Sequence, residues 1–359
     1  MNETSSPTRV IVAGGGVAGL EALLALRGLA GGRVALTLLA PEPDFVVRPL
    51  TVAEPFAMGH AERYPLADVA RELGVTLVAD GLSRVDADAH RVKTADEVEL
   101  DYDALLLALG ARAEPWLSGA LTWAPGADAD VYGGLLRDLE EEYVSRIVFV
   151  VPPGASWPLP VYELALMTSR QASGMGARDL DLHLVTSESA PLAAFGDETS
   201  STARRELDAA EVFLHAGATS VEVVPGKPAT VLVGGAGERL PADRVVTVPR
   251  LHGRRIPGVA ADTDGFIPVD DHGRVTGQDG VWAAGDGTTH PIKQGGLATQ
   301  QADAVARDIA ARAGAPVEPE PFVPEMHAVL LTGEDPRPPA KLFGEYLTPW
   351  LQERARGGS

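Results

Sequence analysis

The stretch Val10-Ile-Val-Ala-Gly-Gly-Gly-Val-Ala-Gly-Leu-Glu-Ala22 restricts this chain more than any other. An apolar run stops at three glycines and resumes as an alanine- and leucine-rich helical pattern, which predicts a strand, a tight turn and a helix. Gly14, Gly16 and Gly19 fill the G-x-G-x-x-G frame. In that frame the first glycine permits the turn, the second lets a pyrophosphate approach the backbone, and the third lets helix and strand pack closely. Free N–H groups and the positive helix end, beginning at Val17 and Ala18, then face the phosphates. The plain alternative is a glycine-rich turn without a ligand; the position of this one, after a strand at the head of an α/β pattern, favours a dinucleotide.

Composition narrows the setting. The 359 residues admit about two domains, and 45% apolar content describes an ordinary globular chain able to bury large cores. A formal charge of −20 argues against nucleic acid as a partner and against charge-driven binding to an anionic membrane. Cysteine is absent, which removes disulfides, thiolate metal sites and redox-active dithiols. The eight histidines are not clustered at ligand spacing, so no metal site is expected. Gly-Gly-Gly, Glu21 and Arg27 interrupt Val10 to Ala30, and no basic region precedes it; neither a signal sequence nor a transmembrane segment is expected, and the cytoplasm is the expected location.

Along the chain, Val34 to Leu39 reads as a buried parallel strand. Ala40 and Pro41 stand where a carboxylate for the ribose hydroxyls is usual, with Glu42 just beyond; either Glu42 reaches back or backbone holds the ribose. Phe45 to Pro49 reads as extended up to the Arg48-Pro49 pair, with Arg48 either directed inward toward a phosphate or flavin, or paired at the surface with Glu42 or Asp44. Val75 to Leu100, punctuated by Gly81, suggests an antiparallel excursion, and Asp103 to Gly110 a further buried strand. The pattern breaks between Pro115 and Pro125. A second α/β pattern follows: helix over 132–143, strands over 146–151 and 180–185, helix over 199–214, and a strand pair at 221–224 and 230–233.

That second pattern carries Pro152-Pro-Gly-Ala-Ser-Trp157-Pro-Leu-Pro-Val-Tyr-Glu163 where a glycine fingerprint would stand. One glycine among four prolines cannot offer the run of N–H donors that a pyrophosphate needs, so NAD(P) binding there reads as lost. Gly280-Val-Trp-Ala-Ala-Gly285-Asp286 is a strand ending on glycine and aspartate, and His290-Pro-Ile-Lys293-Gln294-Gly295-Gly leads into a helix reaching about Ala313.

With both glycine-ended strands in view, the sequence resembles the flavoproteins with two dinucleotide-binding domains. The resemblance is to the branch of sulfide:quinone oxidoreductases, the flavoprotein subunit of sulfide-oxidising flavocytochrome c, and type II NADH dehydrogenases, and it spans roughly Arg9 to Gly314. It implies an α/β fold with two Rossmann-like domains: a discontinuous FAD-binding domain at 9–113 and 256–315, a second at 114–255 with a degenerate NAD(P) site, and a short segment at 316–359. It implies FAD as cofactor, with its pyrophosphate at Gly14, Gly16 and Gly19, its adenosine near Ala40, Pro41 and Gly81, and a further contact at Ala108 and Gly110. Leu109 stands where the family often has threonine. Asp286, following Gly285, would bond the ribityl chain, and Lys293, Gln294 and Gly295 would lie at the pyrimidine edge.

A flavin accepting hydride develops negative charge at N1 and the C2 carbonyl, which an ammonium and helix-start amides stabilise, a role that Lys293 and Gly295 fit. Relatives oxidise sulfide with cysteine sulfurs, whereas here Trp157 and its prolines occupy that region, so this route is excluded. Tyr162 and Glu163 suit a proton relay, although a glutamate in a first helical turn is ordinarily dipole compensation, and that reading is favoured. The expected function is an FAD-dependent oxidoreductase with a small-molecule donor and acceptor, a quinone among the candidates. The alternatives are a flavin-binding sensor or structural protein, and an NAD(P)H:quinone-type dehydrogenase. Finally, Leu342, Phe343, Tyr346, Leu347, Trp350 and Leu351 mark an apolar stripe that Pro349 interrupts. Packing on the chain's own body or in a homodimer is favoured over peripheral membrane contact.

Overall fold

Continuous apolar runs, buried on both faces, set the architecture. A computed structural model describes residues 6–125, 129–177, 179–235, 237–333 and 344–357. The first sheet has five parallel strands in the order Val281–Ala283, Ala104–Leu107, Thr8–Ala13, Val34–Leu39, Thr76–Val78. A second parallel sheet runs Leu121–Thr122, Arg244–Thr247, Arg146–Val150, Asp181–Val185, Val212–His215. The helices are α1 (Val17–Ala30), α2 (Leu66–Leu73), α3 (Ala129–Glu140), α4 (Leu159–Gly174), α5 (Asp197–Ala209), α6 (Gly295–Arg312) and α7 (Leu347–Gly357). Parallel pairing demands crossovers, and helices supply most of them. The chain leaves the first sheet after Leu107 and rejoins it at Val281, so strands far apart in sequence end side by side.

Small residues let α1 and α6 lie close. Ala22 and Ala25 on α1, and Ala302, Ala306 and Ala310 on α6, are fully buried in one core with Leu20, Leu23, Leu26, Val305 and Ile309. Asp308 is a charged residue buried in that helix, 1% exposed. Its carboxylate accepts Arg274 Nε at 2.9 Å and the Trp282 indole N–H at 2.8 Å, tying α6 to the strand that precedes Gly285.

Several expectations change at element boundaries. The helix expected over 199–214 is α5 alone; Glu211 at φ 55° breaks it, and Val212–His215, β-branched and aromatic, forms the edge strand of the second sheet. Thr76–Val78 belongs to the first parallel sheet, and only 82–86, 91–94 and 99–101 form the antiparallel excursion. The stretch beyond Phe45 is extended only through Val46, and a 3-10 segment opens at Arg48 with Pro49 in its first turn, a place proline tolerates. The Pro115–Pro125 break hides a two-residue strand, Leu121–Thr122, and the pair at 221–224 and 229–233 gains a third strand at 238–242.

At the C-terminus the apolar stripe packs on the chain itself. Leu347 and Trp350 are buried in the core of the first sheet, and Trp350 meets Tyr64 edge-on at 5.2 Å. Pro349 does not interrupt α7, because it falls in the first turn, where N–H groups have no intrahelical acceptor. Leu342 and Phe343 lie outside the described residues.

The buried Asp308 hub gives a stability prediction. Asp308→Ala strands two donors beneath α6 and should cost about 3–5 kcal/mol. Asp279→Ala, which removes an exposed partner of Arg312, should cost less than about 1 kcal/mol. Denaturant unfolding of both variants checks the contrast, and similar losses would contradict it.

Candidate functional site

The carboxyl ends of the first sheet form a crevice because adjacent strands all stop there on small residues. Gly14 sits at φ 115°, and a Cβ on it would lie 2.2 Å from Ala108 O. Only glycine permits this approach between the turn and the neighbouring strand. A Cβ on Gly19 would meet Gly14 O at 2.0 Å, which fixes how closely α1 descends on the turn. Gly16 is different: it caps α1, and a Cβ there would meet nothing within 4 Å. The helix start at Val17 and Ala18 therefore faces open space.

Neighbouring backbone completes the rim. Ala108 N–H donates to Ala13 O at 2.8 Å, and Gly110 follows at φ 63°. Gly110 O would lie 3.3 Å from a Cβ on Gly287, and the Ala18 methyl 3.1 Å from one on Gly285, so the two glycine-ended strands meet at one place. Ala40 is buried and donates to Val78 O at 3.1 Å, Pro41 and Glu42 are exposed just beyond, and Gly81 N–H donates to Asp80 Oδ1 at 2.6 Å.

Asp286 lies at the centre of this rim. Its carboxylate makes no hydrogen bond among the described residues, and burial raises its pKa, opposed by the charges of Lys293 and Arg48. Arg48 itself is exposed and makes no ion pair with Glu42 or Asp44. Lys293 is 6% exposed; its ammonium donates to Thr288 O and stands 3.9 Å from the Phe266 ring centroid. Burial pushes its pKa down to about 8 against the pull of Asp286 and Asp262. Gln294 caps α6 through Oε1, which accepts Leu297 N–H at 2.8 Å, and Gly295 opens the helix. The crevice thus offers open backbone at one helix start, an unpaired carboxylate between two cations, and a second helix start beside a buried lysine.

Two residues missed in the sequence hold the centre in place. Gln301 Oε1 accepts Gly285 N–H at 2.6 Å, and the Thr288 hydroxyl donates to Gly285 O at 3.0 Å. The signal was Gln301 and Asp308 falling on the buried stripe with Ala298 and Val305, at helical spacing where apolar residues are usual.

The proline-rich loop adjoins the crevice, for Lys293 N–H donates to Ser156 O at 3.3 Å. Trp157 packs edge-on against Phe195 at 5.4 Å, and Gly154 sits at φ 69°. Helix α4 begins poor in donors: Pro158 is its N-cap, Pro160 lacks an N–H, and Val161 N–H already bonds Pro158 O. Glu188, beyond the Asp181–Val185 strand, accepts the Tyr162 hydroxyl at 2.8 Å, the Thr186 hydroxyl at 3.1 Å and Ala193 N–H at 3.1 Å, which engages the position where a ribose carboxylate is usual.

Glu163 departs from expectation. It is the fifth residue of α4, past the first turn, and 5% exposed, so it is not compensating a helix end at the surface. Its Oε1 accepts Leu331 N–H at 3.1 Å, and burial pushes its pKa up to about 8. Tyr162, bonded to Glu188 instead, forms no relay with it.

Among the described residues no group of three or more histidines, cysteines or carboxylates is placed to hold a metal, and no helix is long and apolar enough to cross a membrane.

Comparison with known proteins bears on this site. The family model described as pyridine nucleotide-disulphide oxidoreductase matches residues 8–302. The chain is 32% identical over 302 residues to an NADH dehydrogenase-like protein of Mycobacterium tuberculosis, covering 78% of this chain and 72% of the relative. It is 28% identical over 188 residues to a sulfide-quinone reductase of Aquifex aeolicus, covering 50% and 43%. The solved sulfide:quinone oxidoreductase of Aquifex aeolicus superposes with a TM-score of 0.73 at 23% identity, covering 85% of this chain and 77% of that one.

Glu163 makes the stability pH-dependent. A carboxyl whose folded pKa lies above its ordinary value stabilises fully below the ordinary range, and that contribution is lost as pH rises toward 8. Glu163→Gln, which keeps an acceptor for Leu331, should match the parent within about 1 kcal/mol at pH 5 and exceed it by about 2–4 kcal/mol at pH 8.5. Denaturant unfolding at the two pH values measures this; a variant less stable at pH 8.5 would contradict it.

Proposed function

The chain belongs to the pyridine nucleotide-disulphide oxidoreductase family, and from that premise we propose an oxidoreductase that holds one non-covalent FAD in the crevice of the first sheet. The observation that carries this reading is the Asp286 carboxylate, aimed among glycine-ended strands with no hydrogen-bond donor of its own. This half-buried carboxylate keeps acceptor capacity that no donor among the described residues uses, and a ribityl hydroxyl would occupy it. The residues present fit the group on a second count, because Gly16 leaves the space at the start of α1 that a pyrophosphate requires.

On this reading Gly14, Gly16, Val17, Ala18 and Gly19 hold the pyrophosphate, and Ala40, Pro41, Glu42 and Gly81 border the adenosine. Ala108 and Gly110 line the middle, Arg48 and Pro49 flank it, and Gly285, Asp286, Lys293, Gln294 and Gly295 border the flavin. Residues 9–113 and 256–315 make up the FAD unit, 114–255 the second unit, and 316–359 the closing segment. FAD, when bound, supplies hydride and single-electron transfer. The chain's part is to orient and to balance charge. Lys293, buried and drawn toward neutrality near pH 8, offsets negative charge and holds or yields a proton beside the α6 start. Trp157 bounds the approach from the second unit, and Glu163, neutral over much of the physiological range, is a proton reserve one turn inside α4. Lacking cysteine, the chain has no thiolate route for sulfide.

The named relatives support two candidate partners, a quinone and a nicotinamide dinucleotide. The donor-poor start of α4 and the engaged Glu188 favour a small-molecule donor other than NAD(P)H, with a quinone as the acceptor.

Acid denaturation of the purified protein should release about one FAD per chain, since no cysteine is present for a thioether link; flavin left on the precipitate, or none at all, contradicts the reading. Asp286→Ala should lower flavin occupancy more than Glu42→Ala, because a charge-assisted hydrogen bond is worth about 1.5–3 kcal/mol. Equal losses would displace the ribityl contact. Millimolar NADH should reduce the flavin slowly while dithionite reduces it at once. Saturable bleaching by micromolar NADH would show that the proline-rich loop still holds a dinucleotide.

A further inference from the structure

On the helices that flank the first sheet, α1 and α6 bring two acids together. Glu21 on α1 is fully buried, and its two oxygens accept backbone N–H groups from the C-terminal segment: Oε1 from Tyr346 at 2.8 Å and Oε2 from Leu347 at 2.7 Å. These are amides at the start of α7, which has no other acceptor for them in its own helix. Asp303 on α6 lies in hydrogen-bonding contact with Glu21, and its buried Oδ1 has no donor. Gly344 is wedged against both acids: a Cβ there would meet Glu21 Oε1 at 2.6 Å and Asp303 Oδ2 at 2.9 Å. Two carboxyl groups this close, one of them fully buried, are held together by a proton between them.

We propose that Glu21 and Asp303 form a proton-sharing clasp that docks α7 onto α1 and α6 and releases it as pH rises. The clasp is independent of the cofactor reading. Its consequence reaches the functional crevice, because a cavity of about 320 Å³ beside the first turn of α6 is lined by Gly296 and Gln300 on one side and by Gly344, Glu345, Thr348 and Pro349 of the clasped segment on the other. Release of α7 opens that cavity.

The charges around the pair set the sign. On α6, Arg307 is the cation in the field of Asp303, and it is already engaged by Glu345 at 3.2 Å and Glu320 at 3.7 Å. From the C-terminal segment Glu345 adds a third carboxylate, and the Tyr346 phenol stays protonated beside it. Burial is the leading cause that pushes both clasp carboxyls up from their ordinary values. The two N–H groups from 346 and 347 favour charge on Glu21 while Glu345 disfavours it on Asp303, so the one proton belongs to the pair. Once α7 leaves, water reaches both acids and both ionise. The docked form thus holds one proton more than the released form above the ordinary carboxyl range, and docking weakens by up to tenfold per pH unit until the clasp itself loses its proton. At the far end of α7, Arg354 stacks on Trp350 and pairs with Glu72.

The absence of native cysteine makes the test clean. Ala355→Cys places a single nitroxide label on the exposed side of α7 in the full-length chain, and its spectrum resolves docked from released helix. In the otherwise native chain the released-to-docked ratio should rise by up to about 100-fold between pH 6 and 8, reversibly. Asp303→Asn in the same background supplies Glu21 with a permanent amide donor and should keep the label immobile from pH 6 to 9. A ratio that does not change with pH in the labelled parent overturns the proposal, whether or not the asparagine variant folds. So does an asparagine variant that titrates like the parent.

Discussion

Backbone-to-backbone contact at Gly14 is the constraint on which the rest depends. The turn can stop where it does only because nothing projects from Gly14 toward Ala108 O, and α1 can descend onto it only because nothing projects from Gly19 toward Gly14 O. Those two approaches place the open start of α1 beside the ends of the strands that deliver Gly110 and Asp286. One added carbon at Gly14 or Gly19 would push apart the turn, the neighbouring strand and α1.

Much of this was legible because glycine spacing and apolar runs report backbone geometry directly. The two glycine-ended strands, Val10 onward and Val281 onward, are readable as parts of one discontinuous domain through their likeness to two-domain flavoproteins, and the parallel sheet holds both, one on each side of Ala104–Leu107. What stayed hidden depends on contacts between residues distant in sequence. Nothing local marks Leu121–Thr122 as a strand, since two residues carry no periodicity and their partner is Val246–Thr247. Gln301 and Thr288 escaped because a polar residue on a buried stripe looks like noise until the atom it satisfies, Gly285, is in view. Glu163 was misread for the opposite reason. Its place near a helix start suggested the surface, while Leu331, 168 positions away, covers it.

Buried acids recur through the fold, and each has a different solution. Asp308 is ionised and saturated, because Arg274 and Trp282 outweigh the cost of burial. Among the described residues Glu163 has no cation in its field and Asp303 only Arg307, which Glu320 and Glu345 engage, so burial raises the pKa values of Glu163, Glu21 and Asp303. Asp286 stands between these cases, with cations in its field but no donor in contact. That difference is why Asp286, and not Asp308, is the carboxylate proposed to meet a ligand. In the second unit the reverse has happened: Glu188 is taken up by Tyr162, Thr186 and Ala193, and the loop before α4 is built of prolines. The first sheet leaves its carboxylate without a donor, whereas the second engages its own, and this contrast is the basis for proposing a donor other than NAD(P)H.

The central claim is that the first crevice is built around a pyrophosphate and a ribityl chain at once. Titrating the flavin-free protein with FAD and, separately, with FMN, and following flavin fluorescence, tests it most directly. The account predicts one FAD per chain bound at least about 100-fold more tightly than FMN, because only FAD spans from the start of α1 to Asp286. Equal affinity for the two would show that the open helix start contributes nothing to binding, and would contradict the assignment of Gly14, Gly16 and Gly19.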